Sequence, residues 1–148
     1  MNYLKSKERK QIVNTIEKQW GSCPEEIKEK VLVKTGRDRI YLANRDLEKV
    51  DMTGIRINNV GLYIAEEKNE LRLSIEGAQL IGPQATKNVM DVNDEQQKQW
   101  FMGEDIAADT EFEGFVILKH KNDFIGSGKY KEGRISDRLY AILTKRLS

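Results

Sequence analysis

Apolar residues near the start of the chain recur with the period of a helix. They form one stripe that consists of Ile12, Val13, Ile16 and Trp20. This spacing predicts a helix from Ser6, which can cap it, to about Trp20, with Gly21 in the usual position of a C-terminal cap. Pro24 and the two acidic residues after it predict a second, short helix that fades by Lys30.

The rest of the first half alternates short apolar runs with turn-forming residues, which is typical of a small antiparallel sheet. The predicted strands cover residues 31–34, 39–43, 61–65 and 71–75, with a further half-exposed strand at Ile55 and Ile57. Asp46 is placed to cap a brief helix that runs to Val50. These patterns predict an α+β first half in which one or two helices pack on the sheet.

A connector follows this half of the chain. Gly82-Pro83 is the strongest local breaker of regular structure in the sequence, and residues 77–83 predict an irregular segment with room for one helical turn. We therefore predict two domains: an α+β domain at residues 1–80 and a second domain at residues 81–148.

The second domain combines short strands with one clear helix. Residues 88–92 predict a strand, and Asp94 is placed to cap a helix that ends at Met102, before Gly103. A loop is predicted at residues 104–109. The last segment, residues 136–147, fits either a helix or a final strand.

The longest patterned stretch covers residues 114–135. Its apolar, β-branched run at residues 115–118 predicts a buried strand, and Phe124 begins the return strand of a hairpin. The polar residues between them predict the turn, so we expect His120 to be exposed there.

Basic and aromatic residues follow two glycines in the return strand. Gly126 and Gly128 lack a Cβ atom, which permits a bulge or the close approach of another backbone. The residues that follow include Lys129, Tyr130, Lys131 and Arg134. Alternating lysines beside a bare backbone edge suit a phosphate chain, and the tyrosine offers a stacking surface. A barrel corner with solvated lysines explains the same pattern and remains the alternative.

The net charge is only +1, but it is divided unevenly along the chain. Residues 1–76 carry +2, residues 77–113 carry −6 and residues 114–148 carry +5. This asymmetry favours a charged working face rather than a uniformly basic protein. The sequence shows neither a long apolar run nor a signal peptide, and its single cysteine fits a reducing compartment, so we expect a cytoplasmic protein.

Few residues could support catalysis. Cys23 and His120 are the only residues of their types, they lie far apart in the sequence, and they are too few for a zinc site. Glu104 and Asp105 are adjacent carboxylates, which point in different directions on a loop. The string at residues 126–129 lacks the upstream glycine and the spacing of a nucleotide-binding P-loop. We expect no enzymatic activity, no metal and no cofactor.

Three strings in the second half resemble the PUA domain, a small RNA-binding pseudo-barrel. They are Lys87-Asn-Val-Met-Asp-Val92, Trp100-Phe-Met-Gly-Glu-Asp-Ile106, and Gly114-Phe-Val-Ile-Leu with Asp123-Phe-Ile-Gly-Ser-Gly-Lys129 and Gly133-Arg-Ile135. The closest resemblance is to the PUA-like tail of Sun/Fmu-type RNA cytosine methyltransferases. Upstream, residues 61–65 and 71–83 resemble archaeal stand-alone proteins in which an α+β pre-PUA domain precedes a PUA domain.

The resemblance implies an α+β pre-PUA domain followed by a PUA-like β pseudo-barrel with one main helix. It also implies a non-catalytic protein that recognises structured ribosomal or transfer RNA in ribosome biogenesis or RNA modification. In PUA proteins the RNA is held by the glycine-containing loop after the helix and by the nearby return strand. Together with the basic residues above, this gives the candidate RNA-binding residues Lys87, Gly103, Glu104, Asp105, Ile106, Ser127, Gly128, Lys129, Tyr130, Lys131 and Arg134.

Two other functions fit the same sequence. The chain could be a protein-interaction adaptor that docks the apolar stripe of its first helix, or its Trp100-Phe101 end, on a methyltransferase or ribosomal protein. It could also be the detached RNA-recognition subunit of a modification enzyme. If Trp20 and Trp100 belong to the core, as we expect, both are buried.

Overall fold

The strands form two five-stranded sheets in the computed structural model, which describes residues 2–49, 56–57 and 61–136. The first sheet has the order β1-β2-β3-β4-β5 and is antiparallel, with strands Asn2–Tyr3 (β1), Val31–Lys34 (β2), Arg39–Ala43 (β3), Gly61–Glu67 (β4) and Leu71–Leu73 (β5). The second has the order β6-β8-β9-β10-β7, with strands Val89–Asp91 (β6), Ile106–Ala107 (β7), Phe115–His120 (β8), Asp123–Lys131 (β9) and Arg134–Ser136 (β10). The helices are Ser6–Trp20 (α1), Glu25–Glu29 (α2), Ile75–Ile81 (α3) and Asp94–Phe101 (α4), with 3₁₀ turns at Arg45–Lys49 and Gly82–Gln84.

The first two helices confirm the prediction from spacing, with small changes at their ends. Lys5, not Ser6, occupies the N-cap position of α1, and its backbone N–H donates to the Glu8 carboxylate at 3.5 Å. Gly21 ends the helix in the left-handed conformation, with φ of 91°, as predicted. Pro24 precedes α2 as its N-cap rather than as its first helical residue.

The largest difference from the sequence prediction lies at the connector. The strand predicted at residues 71–75 ends at Leu73, because the Ser74 hydroxyl caps a new helix by accepting a hydrogen bond from the Gly77 N–H at 2.9 Å. Helix α3 therefore replaces most of the predicted irregular segment. The 3₁₀ turn at Gly82–Gln84 then contains the predicted breaker.

Smaller corrections concern the caps and one loop. Asp46 lies inside a 3₁₀ helix, whose start is held by the Asn44 carboxamide oxygen accepting from the Asp46 N–H. Asn93, one residue earlier than predicted, caps α4. The loop predicted at residues 104–109 contains β7, which pairs with β10.

Some predictions fall outside the described residues. They are the end of the brief helix at Val50, the strand residue Ile55, and the last segment beyond Ser136. Ile57 is described, but it lies in neither sheet.

The core lies between the two sheets and continues on the other face of the second sheet, where α4 packs. Strand β8 alternates between two clusters: Phe115 and Ile117 pack with α1, α3 and the first sheet, whereas Val116 and Leu118 pack with Trp100 under α4. Trp20 is fully buried and Trp100 is 1% exposed, which confirms that both indoles belong to the core. Apolar contacts thus cross the predicted boundary at residue 80, which stays a prediction. No helix in the described ranges is both long and apolar enough to cross a bilayer.

Candidate nucleic-acid interface

The two glycines of β9 make room for the indole of Trp100. A Cβ atom at Gly128 would lie 2.5 Å from Cη2 of Trp100 and 2.6 Å from Cγ2 of Ile135, and one at Gly126 would lie 3.5 Å from Nε1 of Trp100. Gly126 also has φ of 146°, next to an irregular pairing of β8 with β9. The irregular pairing agrees with the bulge that the sequence analysis allowed for, but the closest neighbour is a buried side chain and not another backbone. It fixes the end of α4 against the sheet.

Several candidate RNA-binding residues do not reach the surface. Ser127 is 3% exposed and its hydroxyl donates to the Leu73 carbonyl oxygen at 2.9 Å, Gly128 is buried against Trp100, and Ile106 is 1% exposed. Ser127 and Gly128 are buried because α3 and β5 cover one face of β9 and α4 covers the other, and Ile106 of β7 belongs to the core cluster around Trp100. These three residues contribute to the fold of the site and not to its surface.

The turn between β9 and β10 places two basic side chains opposite each other. Glu132 has φ of 51° and Gly133 has φ of 81°, so the two-residue loop has the positive φ angles that suit the right-handed twist of a hairpin. Lys131 is therefore the cross-strand partner of Arg134. Both side chains are exposed.

Lys131 and Arg134 line an open groove that also brings in the loop after α4. Its volume is about 370 Å³, and its lining residues are Asp105, Lys131, Glu132, Arg134 and Ser136. We call it the basic groove. Pairing of β7 with β10 brings Asp105, the residue before β7, beside the two cations. The groove thus joins one residue of the predicted loop to two of the predicted basic residues.

The basic groove is named after Lys131 and Arg134, but Asp105 and Glu132 bring the formal charge of its described lining residues to zero. Glu132 lies 3.9 Å from the Arg134 guanidinium, and both side chains are more than half exposed, so this ion pair is weak and can give way to a phosphate. The position of Glu132 follows from the two-residue turn, which the sequence analysis did not recognise. A Glu-Gly pair between two strand-like basic residues is the signal that could have identified it.

Lys129 lies outside the groove and is already paired. Its ammonium contacts the Glu70 carboxylate and lies 5.4 Å from the centre of the Phe115 ring. Desolvation lowers the pKa of Lys129, and the charge of Lys131 lowers it further to a smaller degree. Lys129 therefore joins the two sheets and is less available to a phosphate than Lys131.

The remaining candidates are dispersed. Tyr130 is half-buried on the opposite face of β9 and packs edge-on against Phe112, with ring centres 6.1 Å apart. Lys87 is exposed but precedes β6, at the sheet edge opposite β7. Gly103 takes a left-handed conformation with φ of 80°, which turns the chain from α4 towards β7, and Glu104 is exposed in that turn. None of these four lines the basic groove.

The prediction that His120 is exposed in a turn is wrong. His120 ends β8 and is 8% exposed, and its Nε2 lies 2.7 Å from a carboxylate oxygen of Asp94 at the start of α4. The hydrogen bond with His120, helped by the charge of Lys121, lowers the pKa of Asp94. The pair fastens α4 to the hairpin. In the described ranges, no three His, Cys, Asp or Glu side chains come together as a metal site.

Cys23 provides a prediction about thiol chemistry. The side chain is buried, and desolvation raises the pKa of the Cys23 thiol from 9.0 to about 11. At pH 8 the thiolate fraction is then about a hundredfold lower than in the unfolded chain. We expect iodoacetamide to alkylate the native protein at least a hundredfold more slowly than the urea-unfolded protein. Equal rates in the two states would contradict this placement.

The fold and the groove together indicate the class of this domain. A mixed α/β structure that is mostly strands, with the loop after α4 leading into the basic groove, is consistent with a PUA-like domain. Residues 87–139 match the family model described as the methyltransferase RsmF PUA domain. The chain therefore contains a PUA-like domain related to the tails of Sun/Fmu-type methyltransferases.

Similar proteins are known from Vibrio species. The chain is 29% identical over 86 residues to ribosomal RNA small subunit methyltransferase F of Vibrio vulnificus, strain YJ016, and 32% identical over 92 residues to the protein of that name from Vibrio campbellii. Each match covers 57% of this chain but only 18% and 19% of the respective relative. The chain thus spans about a fifth of the length of these relatives. The archaeal affiliation that the resemblance implied stays a prediction.

Proposed function

We propose that this chain is a non-catalytic RNA-binding protein that recognises structured ribosomal or transfer RNA in RNA modification or ribosome biogenesis. The observation that carries the proposal is the basic groove, where Lys131 and Arg134 lie together on exposed strands of a PUA-like domain. Cationic side chains in such a groove bind phosphates through charge, and Asp105 beside them can accept hydrogen bonds from ribose or base edges. The arrangement of a pre-PUA domain before the PUA domain and a cytoplasmic location belong to the same proposal.

The names of the relatives support this proposal. They are methyltransferases of ribosomal RNA, and the part of them that this chain matches includes the PUA domain. If the chain works as a detached recognition subunit, catalysis is supplied by another chain. An adaptor role is the second candidate, because Phe101 and Met102 are exposed at the end of α4.

Charge reversal in the basic groove tests the proposal. We expect the double variant Lys131→Glu/Arg134→Glu to bind total ribosomal and transfer RNA about a hundredfold more weakly, with a salt slope smaller in magnitude by about 2, since each lost phosphate contact removes about 0.9. Filter binding between roughly 50 and 200 mM salt measures both quantities. Both side chains are exposed, so the variant should fold normally.

The matched control is Lys7→Glu/Lys10→Glu, which makes the same change of charge on the exposed face of α1. We expect it to retain the affinity and slope of the wild type to within about threefold, because neither lysine lines the basic groove. If both double variants weaken binding equally, only net charge matters and the groove is not the site. The proposal fails altogether if the wild type shows no salt-dependent binding to either RNA.

A further inference from the structure

A second groove lies between α3, α4 and the β8–β9 turn. Its volume is about 540 Å³, and it is lined by residues of α3, α4 and that turn. The lining includes the rings of Phe101 and Phe124 and the carboxamides of Gln79, Gln97 and Asn122. We call it the Phe101 groove. Its size falls in the range of small-molecule sites.

The chemistry of the Phe101 groove differs from that of the basic groove. It contains two aromatic rings and three carboxamides, and Asp123 is the one charged residue among its described lining residues. Within the part of the chain that the structure describes, these three carboxamides make no hydrogen bond to protein. A surface without lining cations does not suit phosphate. Carboxamides and a ring face together suit a flat heterocycle, because the amides can pair with its polar edge while the ring stacks on its face.

The rings in this groove differ in how they are held. Phe124 packs against the backbone of Gly82, where a Cβ atom would lie 2.6 Å from its Cε1 atom, so its position is fixed. Lys119 places its ammonium 5.7 Å from the centre of the Phe124 ring, without lining the groove. Phe101 is 57% exposed at the end of α4, which leaves much of its surface open for stacking.

The two grooves lie within reach of one RNA strand. Phe101 and Asp105 are four residues apart, so their Cα atoms are separated by at most about 15 Å. The chain between them turns tightly, since the Glu104 N–H donates to the Gln99 carbonyl oxygen at 2.9 Å. The grooves lie at opposite ends of β9, so an RNA whose phosphates lie along Lys131 and Arg134 must extend by a few nucleotides to reach Phe101.

We propose that the Phe101 groove binds a single unpaired nucleobase of the RNA held at the basic groove, stacked on Phe101 and hydrogen-bonded by the carboxamides around it. This proposal rests on the proposed function. It adds that the protein prefers RNA with an unpaired segment over a continuous duplex. The Lys119 ammonium, next to the Phe124 ring, can approach the phosphate of that nucleotide.

Binding of two matched RNAs to single variants tests the proposal. The probes are a blunt RNA duplex and the same duplex interrupted by an unpaired loop. We expect Phe101→Ala to bind the looped RNA about tenfold more weakly than the wild type, as loss of one base–aromatic stack predicts, with an unchanged salt slope and unchanged binding to the duplex. Phe101→Tyr should retain binding, because it keeps the ring.

Met102→Ala is the matched control, because Met102 is 75% exposed on the same helix end but does not line the groove. It should bind both RNAs as the wild type does. The inference is overturned if Phe101→Ala binds the looped RNA normally, if it weakens both RNAs equally, or if it abolishes capture of a protein partner and leaves RNA binding intact. If the wild type binds neither RNA, the proposed function itself fails, which is a different result from the loss of loop preference alone.

Discussion

Substitution of Gly77 by alanine is expected to destabilise the protein by about 3 kcal/mol, even though alanine is the better helix former by about 1 kcal/mol. Gly77 lies in the first turn of α3, and a Cβ atom there would meet backbone atoms of Ile64, with the carbonyl carbon at 3.0 Å and the oxygen nearer still. The carbonyl cannot turn away freely, because its oxygen accepts a hydrogen bond from the Ser74 N–H at 2.9 Å. The helix must move away from β4 or that hydrogen bond must break.

Urea unfolding followed by circular dichroism measures this loss. Gly36→Ala is the matched control, since a Cβ atom at Gly36 has no neighbour within 4 Å. We expect the control to change the free energy of unfolding by less than about 1 kcal/mol. If Gly77→Ala proves as stable as Gly36→Ala, α3 does not pack against β4 as described.

Gly77 also illustrates what the sequence could not predict. Periodicity identified α1 and most strands, because each depends on residues within a few positions of one another. Helix α3 has seven residues, too few for a clear period, and it forms where the Ser74 hydroxyl and the backbone of β4 hold its start. Such support comes from residues distant in the sequence, so local propensity gave only an irregular connector.

The candidate site shows the same division between local and distant information. The sequence identified the basic residues after Gly128, and the resemblance implied the loop that contains Asp105. Alternation along β9 places Ser127, Lys129 and Lys131 on one face of the strand. Ser127 and Lys129 bond to residues of the first half of the chain, whereas Lys131 lines the basic groove. Burial of Ser127 and pairing of Lys129 with Glu70 depend on how the two sheets pack. No pattern within β9 could have separated these three residues.

His120 was mispredicted for a related reason. Lysines on both sides and a polar run suggested a turn, whereas β8 continues through His120 because its imidazole has a partner in Asp94, 26 residues earlier. A buried polar ring that is hydrogen-bonded to a carboxylate is stable in a strand. No residue near His120 in the sequence indicates that Asp94 is its partner.

Substitution of Gly128 by alanine is the second change from which we expect a large loss, about 3 kcal/mol of the free energy of unfolding. The added methyl group would lie 2.5 Å from Trp100 and 2.6 Å from Ile135, and the Ser136 carbonyl oxygen at 3.1 Å limits any escape. Overpacking of this kind typically costs 1 to 3 kcal/mol, and here the neighbours are two fully buried side chains.

A double-mutant cycle separates this cause from a general intolerance of substitution in β9. Trp100→Phe removes the indole atoms that the new methyl group would meet, at the cost of a cavity. If Trp100 is the obstacle, Gly128→Ala should cost about 1 to 2 kcal/mol less in the Trp100→Phe background than in the wild type, a coupling within the range known for residues in contact. Equal costs in both backgrounds would mean that β10 and not α4 opposes the methyl group.

The same cycle tests how the core supports the site. Trp100 stands at the end of α4, one residue before Phe101, and the Gly103 N–H donates to its carbonyl oxygen at 3.0 Å, at the start of the loop that brings Asp105 to the basic groove. Displacement of Trp100 by Gly128→Ala should therefore shift both grooves together. Under conditions where the variant is still folded, we expect its affinity for looped RNA to fall about tenfold or more and to recover in part in the double variant. If both variants, single and double, keep the wild-type affinity for looped RNA despite their changed stability, the grooves do not depend on the position of Trp100.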